Sequence, residues 1–309
     1  MLDECKYLYD AASLAAIGRR ELQEDAIAMH FPEGATLGFI VLADGMGGHA
    51  AGDIASKMVV QEFFDDLQIH MPDPDHLERH IGTILRDALE RANSRVHRHA
   101  VKWPDRRGMG ATLVAPLLIG NRLYWISVGD SPLFLLRGNR LSRLNQEHSM
   151  AQRLDTLAEQ GVISSAQAEQ DPDRLCLTSV LLGESVTEID CRDRPLELEG
   201  GDILIVASDG LLFIDEARIA GLVYENRDRP SAEIGERLLR EIRDCDDPNQ
   251  DNVSLCVVKV GSAEAGAQHC ESPVALPQRR VVPRRMTVQM QVRRNGNRLS
   301  QYFSSESEG

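Results

Sequence analysis

The stretch LGFIVLADGMGGHAAG, residues 37–52, is the basis of the fold prediction. Its first seven residues carry no charge and are mostly apolar, which predicts a buried β-strand. The strand brings Asp44 to its own end, where a glycine-rich turn leads into a segment of helical spacing. The same pattern returns at residues 203–208, which are apolar and are followed by Asp209 and Gly210. Two apolar strands that each end in Asp-Gly suggest that two carboxylates meet at one place.

The spacing of apolar residues predicts helices and strands that do not alternate along the chain. Apolar residues recur at three- and four-residue steps over 55–67 and 77–96, which predicts two amphipathic helices. Three short β-like runs between residues 109 and 137, bounded by Gly, Asn or Pro, predict an antiparallel meander. More strands are expected at 186–191, 202–208 and 253–260, with one helix after Ser231. This order favours an α+β sandwich, two antiparallel sheets covered by helix pairs, over a doubly wound parallel fold.

Composition limits the kinds of function that fit the chain. The formal net charge of -14 argues against a protein that binds nucleic acid by neutralising phosphates. The six cysteines contain no C-x-x-C pair, and the N-terminus has no apolar signal sequence. No apolar run approaches the ~20 residues that span a bilayer. We therefore expect a soluble, cytoplasmic protein with reduced thiols, no membrane span and no nucleic-acid partner.

The charge is distributed unevenly between the body of the chain and its C-terminal segment. Residues 261–309 hold seven arginines and four glutamates, a net of +3, so residues 1–260 carry a net of -17. Aromatic residues almost vanish after residue 260, and such a segment buries too little to offset its ordering entropy. We predict a catalytic domain over 1–260, with a polar insertion at about 145–180, and a disordered basic tail over 261–309. The tail is either dispensable or a regulatory segment that folds back over the acidic body.

Six carboxylates lie beside predicted strands, in or next to turns: Glu24, Asp25, Asp44, Asp130, Asp209 and Asp251. Taken singly, an Asp before Gly at a strand end is more often a turn residue than a ligand. Taken together, carboxylates about 4 Å apart repel by roughly 4 kcal/mol per pair at an effective dielectric of 20, so their convergence requires a cation. Oxygen ligands without a Cys or His pattern favour Mg²⁺ or Mn²⁺ over Zn²⁺. Gly45, which lacks a Cβ, allows its backbone carbonyl to approach such an ion.

The ordered motifs of the chain resemble those of the metal-dependent serine/threonine protein phosphatases of the PP2C (PPM) family, bacterial branch. The motifs are Arg20-x-x-Gln23-Glu24-Asp25, Asp44-Gly45-Met46-Gly47-Gly48-His49, Gly110-Ala111-Thr112-Leu113, Val128-Gly129-Asp130-Ser131, Ser208-Asp209-Gly210 and Gln250-Asp251-Asn252. They span about residues 10–260. Any one motif is weak evidence for the family, whereas six motifs in the order and spacing of the family are specific evidence for it.

The resemblance implies a role for each matching residue around two Mn²⁺ or Mg²⁺ ions. Asp44 would bridge both ions, and the Gly45 carbonyl would help to hold one of them. Asp209 and Asp251 would complete one metal site, while Glu24 would serve the other directly or through water and Asp25 would support bound water. Arg20 would grip the phosphate, for which a planar bidentate donor suits well. Asp130 would contribute to a third, weaker metal position.

The implied reaction is hydrolysis of phosphoserine and phosphothreonine monoesters by direct attack of a water that bridges the two metal ions. No cysteine has the C-x5-R arrangement of cysteine phosphatases, so no covalent phosphoenzyme is expected. Two positions depart from the family pattern. Met46 stands where eukaryotic members have a His, which leaves His49 either as a proton donor or as a structural residue at the helix start. Pro132 replaces an Arg after Gly-Asp-Ser, next to Asp130.

The sequence thus predicts a signalling protein serine/threonine phosphatase, a hydrolase that acts on phosphorylated proteins opposite a cognate kinase. We expect it to work as a monomer. The alternative is a catalytically weak or silent phosphatase-fold regulator that binds phosphoproteins or a kinase. The glycine run of residues 45–52 lacks G-x-G-x-x-G spacing, which argues against a dinucleotide site.

Overall fold

The computed structural model describes residues 9–32, 36–47, 51–261, 291–295 and 298–302. The strands are β1 (Tyr9–Ala16), β2 (Asp25–His30), β3 (Leu37–Met46), β4 (Gly110–Ala111), β5 (Leu113–Ile119), β6 (Arg122–Val128), β7 (Leu133–Arg137), β8 (Arg140–Arg143), β9 (Asp190–Glu197), β10 (Ile203–Ala207), β11 (Val253–Val260), β12 (Gln291–Asn295) and β13 (Arg298–Tyr302). The α-helices are α1 (Ala51–His70), α2 (Pro74–Arg79), α3 (Ile81–Lys102), α4 (Met150–Glu159), α5 (Ser165–Glu169), α6 (Glu216–Glu225) and α7 (Ser231–Asp244). Two 3-10 turns cover Pro104–Arg106 and Asp209–Phe213.

Strands β1–β11 form two antiparallel sheets. One sheet has five strands in the order β1-β11-β10-β7-β8, and the other has six, in the order β2-β3-β5-β6-β9 with β4 paired to β3. This arrangement confirms the predicted α+β sandwich. The predicted meander is wrong, because β6 and β7 belong to different sheets. The chain crosses from one sheet to the other at residues 129–132, so the Gly-Asp-Ser-Pro motif is the crossing point.

Strand β3 is buried on both faces, which accounts for its uninterrupted apolar run. Ile40 and Leu42 pack into the core between the two sheets. Phe39 and Val41 pack on the opposite face, against the helix layer. Because side chains alternate along a strand, Asp44 shares the face of Ile40 and Leu42 and points toward the space between the sheets.

Helix pairs cover the outer face of each sheet. Helices α1 and α3 pack on the six-stranded sheet, and α6 and α7 pack on the five-stranded sheet. The predicted helix over 77–96 lies within α2 and α3, which meet at His80. The predicted insertion at 145–180 holds the short helices α4 and α5.

The C-terminal segment is described only in part. Strand β11 ends at Val260, and β12 pairs with β13 as a separate two-stranded sheet. Most of residues 261–309 lie outside the described residues, so the disorder predicted for this segment stays a prediction. In the described part of the chain, no helix is long and apolar enough to cross a bilayer. The four described cysteines, Cys176, Cys191, Cys245 and Cys256, are free thiols.

Candidate metal centre

Four candidate ligands come from two pairs of neighbouring strands, one pair in each sheet. Asp25 and Asp44 face each other as Cα partners on β2 and β3 of the six-stranded sheet. Asp209 follows β10 and Asp251 precedes β11, and these two strands are neighbours in the five-stranded sheet. The sandwich therefore brings together carboxylates that are far apart in the sequence, at the edge where the core between the sheets ends.

Asp25 connects the two sheets by hydrogen bonds. Its side chain is 5% exposed, and its Oδ2 accepts a hydrogen bond of 2.7 Å from Ser208 Oγ, at the end of β10. Ser208 Oγ in turn accepts a bond of 3.0 Å from the backbone N–H of Ser254 on β11. Burial raises the pKa of Asp25 to about 7; the Ser208 bond opposes this rise and the charge of Asp209 adds to it.

Asp44 lies within electrostatic reach of Asp209. Burial raises the pKa of Asp44 well above its usual range, and the charges of Asp25 and Asp209 add to the rise. Burial and the charge of Asp251 also raise the pKa of Asp209. Buried carboxyl groups that repel one another require either a proton or a cation between them. The pair therefore has the charge that a cation site requires.

Thr112 fixes the backbone of Asp44. Its Oγ1 accepts a hydrogen bond of 2.9 Å from the Asp44 N–H, and its own N–H donates to the Asp44 carbonyl at 2.8 Å. Thr112 Oγ1 also lies 2.9 Å from Ser131 Oγ, in the crossing segment between the sheets. The sequence motif contained Thr112, but sequence reasoning assigned it no role.

Gly45 and Gly52 have no side chains, which leaves room for oxygen atoms of Glu24 and Gly45 to approach each other. The Gly45 N–H donates a hydrogen bond of 3.1 Å to the Glu24 carbonyl. At Gly52, on the first turn of α1, an added Cβ would collide with Oε1 of Glu24 and lie 2.7 Å from the Gly45 carbonyl oxygen. The carboxylate and the carbonyl thus converge beside the start of α1. Sequence reasoning singled out Gly45 but missed Gly52, whose role depends on this contact.

Asn252 holds the segment that carries Glu24, Asp25 and Arg20. Its Oδ1 accepts a hydrogen bond of 2.7 Å from the Glu24 N–H. Its Nδ2 donates to the carbonyls of Ile17 and Leu22, at 2.9 Å and 3.0 Å. No role for Asn252 was predicted from the sequence, although it stands in the Gln250-Asp251-Asn252 motif.

Arg20 lies next to the carboxylates. Its Nη2 is 2.5 Å from Asp251 Oδ2, and its side chain is 53% exposed. Its positive charge lowers the pKa values of Glu24 and Asp209, against the larger effect of burial, which raises both. Arg20 therefore places an accessible guanidinium beside the candidate ligands.

Asp130 lies within electrostatic reach of the centre. Burial raises its pKa to about 7, and the charge of Asp209 adds to the rise. Arg143 donates a hydrogen bond to its backbone carbonyl, and the His148 N–H donates to the Gly129 carbonyl at 2.9 Å. The segment is thus fixed even though Pro132 replaces the arginine of the family pattern. His49, the candidate proton donor, lies outside the described residues.

The donor set fits a hard divalent cation. All the candidate ligands present oxygen atoms, and several of the carboxylates raise one another's pKa, so a cation would relieve their repulsion. Within the described residues, no three Asp, Glu, His or Cys side chains are already arranged around one point at ligand distances. Two candidates instead have protein partners, Asp251 in its ion pair with Arg20 and Asp25 in its bond with Ser208.

The family model described as protein phosphatase 2C matches residues 15–250. The chain belongs to this family. Among curated relatives in the phosphatase 2C family, the serine/threonine protein phosphatase PstP of Mycobacterium tuberculosis is 35% identical over 174 residues, 56% of this chain and 31% of that protein. The chain thus spans less than a third of that relative's length. The protein phosphatase PhpP of Streptococcus pneumoniae is 29% identical over 256 residues, 82% of this chain and 98% of PhpP.

Solved structures of phosphatase 2C relatives have the same fold. A crystal structure of the M. tuberculosis serine/threonine phosphatase PstP/Ppp aligns with a TM-score of 0.66 at 30% identity, and covers 82% of this chain and 99% of that chain. The catalytic domain of PstP in complex with two manganese ions aligns with a TM-score of 0.64 at 29% identity, and covers 83% of this chain and 100% of that chain.

Proposed function

We propose that this chain is a metal-dependent protein phosphatase that hydrolyses phosphoserine and phosphothreonine monoesters. The observation that carries the proposal is the meeting of Asp25, Asp44 and Asp209 at one edge of the sandwich, with raised pKa values and with Arg20 nearby. Membership of the phosphatase 2C family supports the same activity. We also propose that the enzyme acts in the cytoplasm, as a monomer, on proteins phosphorylated by a cognate kinase.

Each candidate ligand has a role in this proposal. Two Mn²⁺ or Mg²⁺ ions would be held by Asp44, the Gly45 carbonyl, Asp209, Asp251 and Glu24, as sequence reasoning predicted. Asp25 positions water beside them, and Asp130 serves a third, weaker metal position. The relative PstP, solved with two manganese ions, supports the number and kind of ion. When bound, such ions supply Lewis acidity, which makes water nucleophilic near neutral pH and offsets charge on phosphoryl oxygens.

The protein's own groups bind and orient the phosphate. A guanidinium has five N–H donors, so Arg20 can keep its bond to Asp251 Oδ2 and still donate to two phosphate oxygens. The exposed half of the Arg20 side chain makes this contact accessible to a phosphorylated side chain. Ser208 holds Asp25 Oδ2 in place, which fixes the direction in which this carboxylate accepts a proton or a water.

Hydrolysis of a phosphothreonine peptide with and without Mn²⁺ tests the proposal. We expect wild-type turnover only with the metal, and a loss of at least about 100-fold in Asp209→Asn, since oriented groups at a reaction centre contribute effects of this size. Asp215→Asn is a matched control, because Asp215 is an exposed helix cap and Asn also caps helices. Metal-independent hydrolysis, or full activity of Asp209→Asn, would contradict the proposal. Metal-dependent binding of the peptide without turnover would favour the silent regulator.

A further inference from the structure

A group of basic residues surrounds an exposed tryptophan at the C-terminal end of α3. Residues 97–107 contain four basic side chains and one acidic side chain, in a chain whose net charge is -14. We call this surface the α3 basic patch, and it consists of Arg98, Lys102, Trp103, Arg106 and Arg107. Trp103 is 44% exposed, and the Lys102 and Arg106 charges lie 5.6 Å and 5.4 Å from its ring centroid.

The positive charges of the patch are not neutralised by carboxylates in the described part of the chain. Earlier on the same helix, Arg91 pairs with Asp66 and Arg95 pairs with Glu62. None of the four cations of the α3 basic patch has such an ion pair among the described residues; Arg106 instead bonds the His99 ring at 2.6 Å. The pKa of His99 is lowered by burial and then by the surrounding cations, which is consistent with a positive local field.

The α3 basic patch is connected directly to the candidate metal centre. Gly110 on β4 is the Cα partner of Met46, two residues after Asp44. At Gly47, an added Cβ would lie 2.9 Å from the Cα of Met109. Arg107 precedes Gly110 by three residues, which span at most about 10 Å. Met46 is 38% exposed, so an accessible side chain lies between the α3 basic patch and the candidate metal centre.

We propose that the α3 basic patch docks an acidic segment of the phosphoprotein substrate while the phosphorylated residue lies at the metal centre. This inference rests on the proposed function and adds the class of substrate. The path from Asp44 through Met46 and Gly110 to Arg107 is at most about 22 Å, and an extended peptide advances about 3.3 Å per residue. Acidic residues that reach Arg107 therefore lie within about seven residues of the phosphorylated one.

Charge also decides between this occupant and the chain's own tail. Residues 261–309 carry a net of +3, so like charges oppose their docking on the patch. A substrate peptide with Asp, Glu or further phosphate groups has the complementary sign. Trp103 adds a flat apolar surface on which the peptide backbone and side-chain stems can pack.

The test compares Arg98→Ala/Arg107→Ala with the control Arg237→Ala/Arg240→Ala, which removes two exposed arginines from α7 on the opposite helix layer. The substrates are phosphothreonine peptides with glutamates placed three to six residues before or after the phosphothreonine, the same peptides with glutamines, and para-nitrophenyl phosphate. We expect the patch variant to lower kcat/KM for a glutamate peptide about three- to tenfold at low salt. The loss should disappear near 1 M salt, where the Debye length is about 3 Å.

Other outcomes would overturn the proposal. These are an equal loss on the glutamine peptides, an equal loss in the α7 control, or no loss on any glutamate peptide. Binding of phosphatidylserine vesicles that depends on Arg98 and Arg107, without an effect on peptides, would also overturn it in favour of a membrane contact. If the wild type hydrolyses no phosphopeptide, the proposed function fails, but fluorescence polarisation of labelled glutamate peptides still tests the patch. Equal affinity of wild type and patch variant would then refute docking.

Discussion

Asp25 and Asp44 lie directly opposite each other on β2 and β3, and Ser208 of the other sheet donates a hydrogen bond to Asp25. The two carboxylates therefore lie at one end of the core between the sheets. The Ser208 hydroxyl reaches the same place from the facing sheet. Burial raises the pKa values of both, and the charge of Asp25 adds to the rise at Asp44. This relationship makes the metal-free protein sensitive to pH.

We predict that Asp25→Asn stabilises the metal-free protein at pH 8. The folded pKa of Asp25, about 7, lies above the value near 3.9 of an unfolded aspartate, so the wild type loses stability as the pH rises from about 4 to about 7. About three pH units at 1.36 kcal/mol each set an upper limit near 4 kcal/mol, and we expect on the order of 2–4 kcal/mol. Urea unfolding with a chelator at pH 4, 6 and 8 measures the difference, which should shrink toward pH 4. A difference that does not depend on pH would contradict the role of this charge.

We predict that Gly52→Ala weakens Mn²⁺ binding at least about tenfold, because the new Cβ displaces the Glu24 carboxylate from the Gly45 carbonyl. Titration calorimetry with Mn²⁺ measures the affinity. Gly221→Ala is the matched control, since Gly221 also lies in a helix and has no atom within 4 Å of its added Cβ. The control should keep its affinity and gain roughly 0.5–1 kcal/mol of stability from alanine's helix propensity. Equal Mn²⁺ affinities for the two variants would show that Glu24 and Gly45 are not ligands of the metal centre.

We predict that Asn252→Ala lowers both stability and turnover. The change leaves the Glu24 N–H and the carbonyls of Ile17 and Leu22 without their partner, a loss of about 2–4 kcal/mol in the free energy of unfolding. The exposed Asn249→Ala should stay within about 0.5 kcal/mol of wild type. Urea unfolding and phosphopeptide kinetics measure the two effects. A stable Asn252→Ala with normal kcat would show that this side chain does not position the segment.

We predict that Thr112→Val destabilises the protein by about 1–3 kcal/mol and reduces kcat. Valine keeps the shape but leaves the Asp44 N–H without the Oγ1 acceptor, which loosens the strand end that carries the central carboxylate. Thr156→Val removes a comparable hydroxyl from the exposed face of α4 and serves as the control. Thermal unfolding and steady-state kinetics distinguish the two variants. Identical behaviour of both would mean that the hydroxyl of Thr112 has no special role.

The parts of the fold and site that follow from local patterns were predictable. The apolar run before Asp44 and its counterpart before Asp209 identified two buried strands and their terminal carboxylates. The lack of regular alternation between strands and helices correctly favoured two sheets over a parallel one. These features depend on periodicity and on residue types within a few positions of one another.

The parts that depend on contacts between distant segments were not predictable. The change of sheet at residues 129–132 leaves no mark in the spacing of apolar residues, so the meander was a natural but wrong expectation. Gly52, in α1, is needed only because Glu24 approaches it from the start of β2 and Gly45 from the end of β3. Asn252 bonds to a segment more than 200 residues earlier in the sequence. Such roles become visible only when the sheets are assembled.

The contribution of both sheets to one ligand set has a mechanical consequence. An ion held by Asp44 of one sheet and Asp209 after a strand of the other would cross-link the two sheets at this end of the sandwich. Its binding free energy would add to the free energy of unfolding by mass action. We therefore expect chelators to loosen this end of the sandwich first, so that amide hydrogens of β2 and β10 near Asp25 and Ser208 exchange faster while the far ends of the strands stay protected. The supply of divalent ions would then set the rigidity of the protein as well as the rate of the proposed reaction.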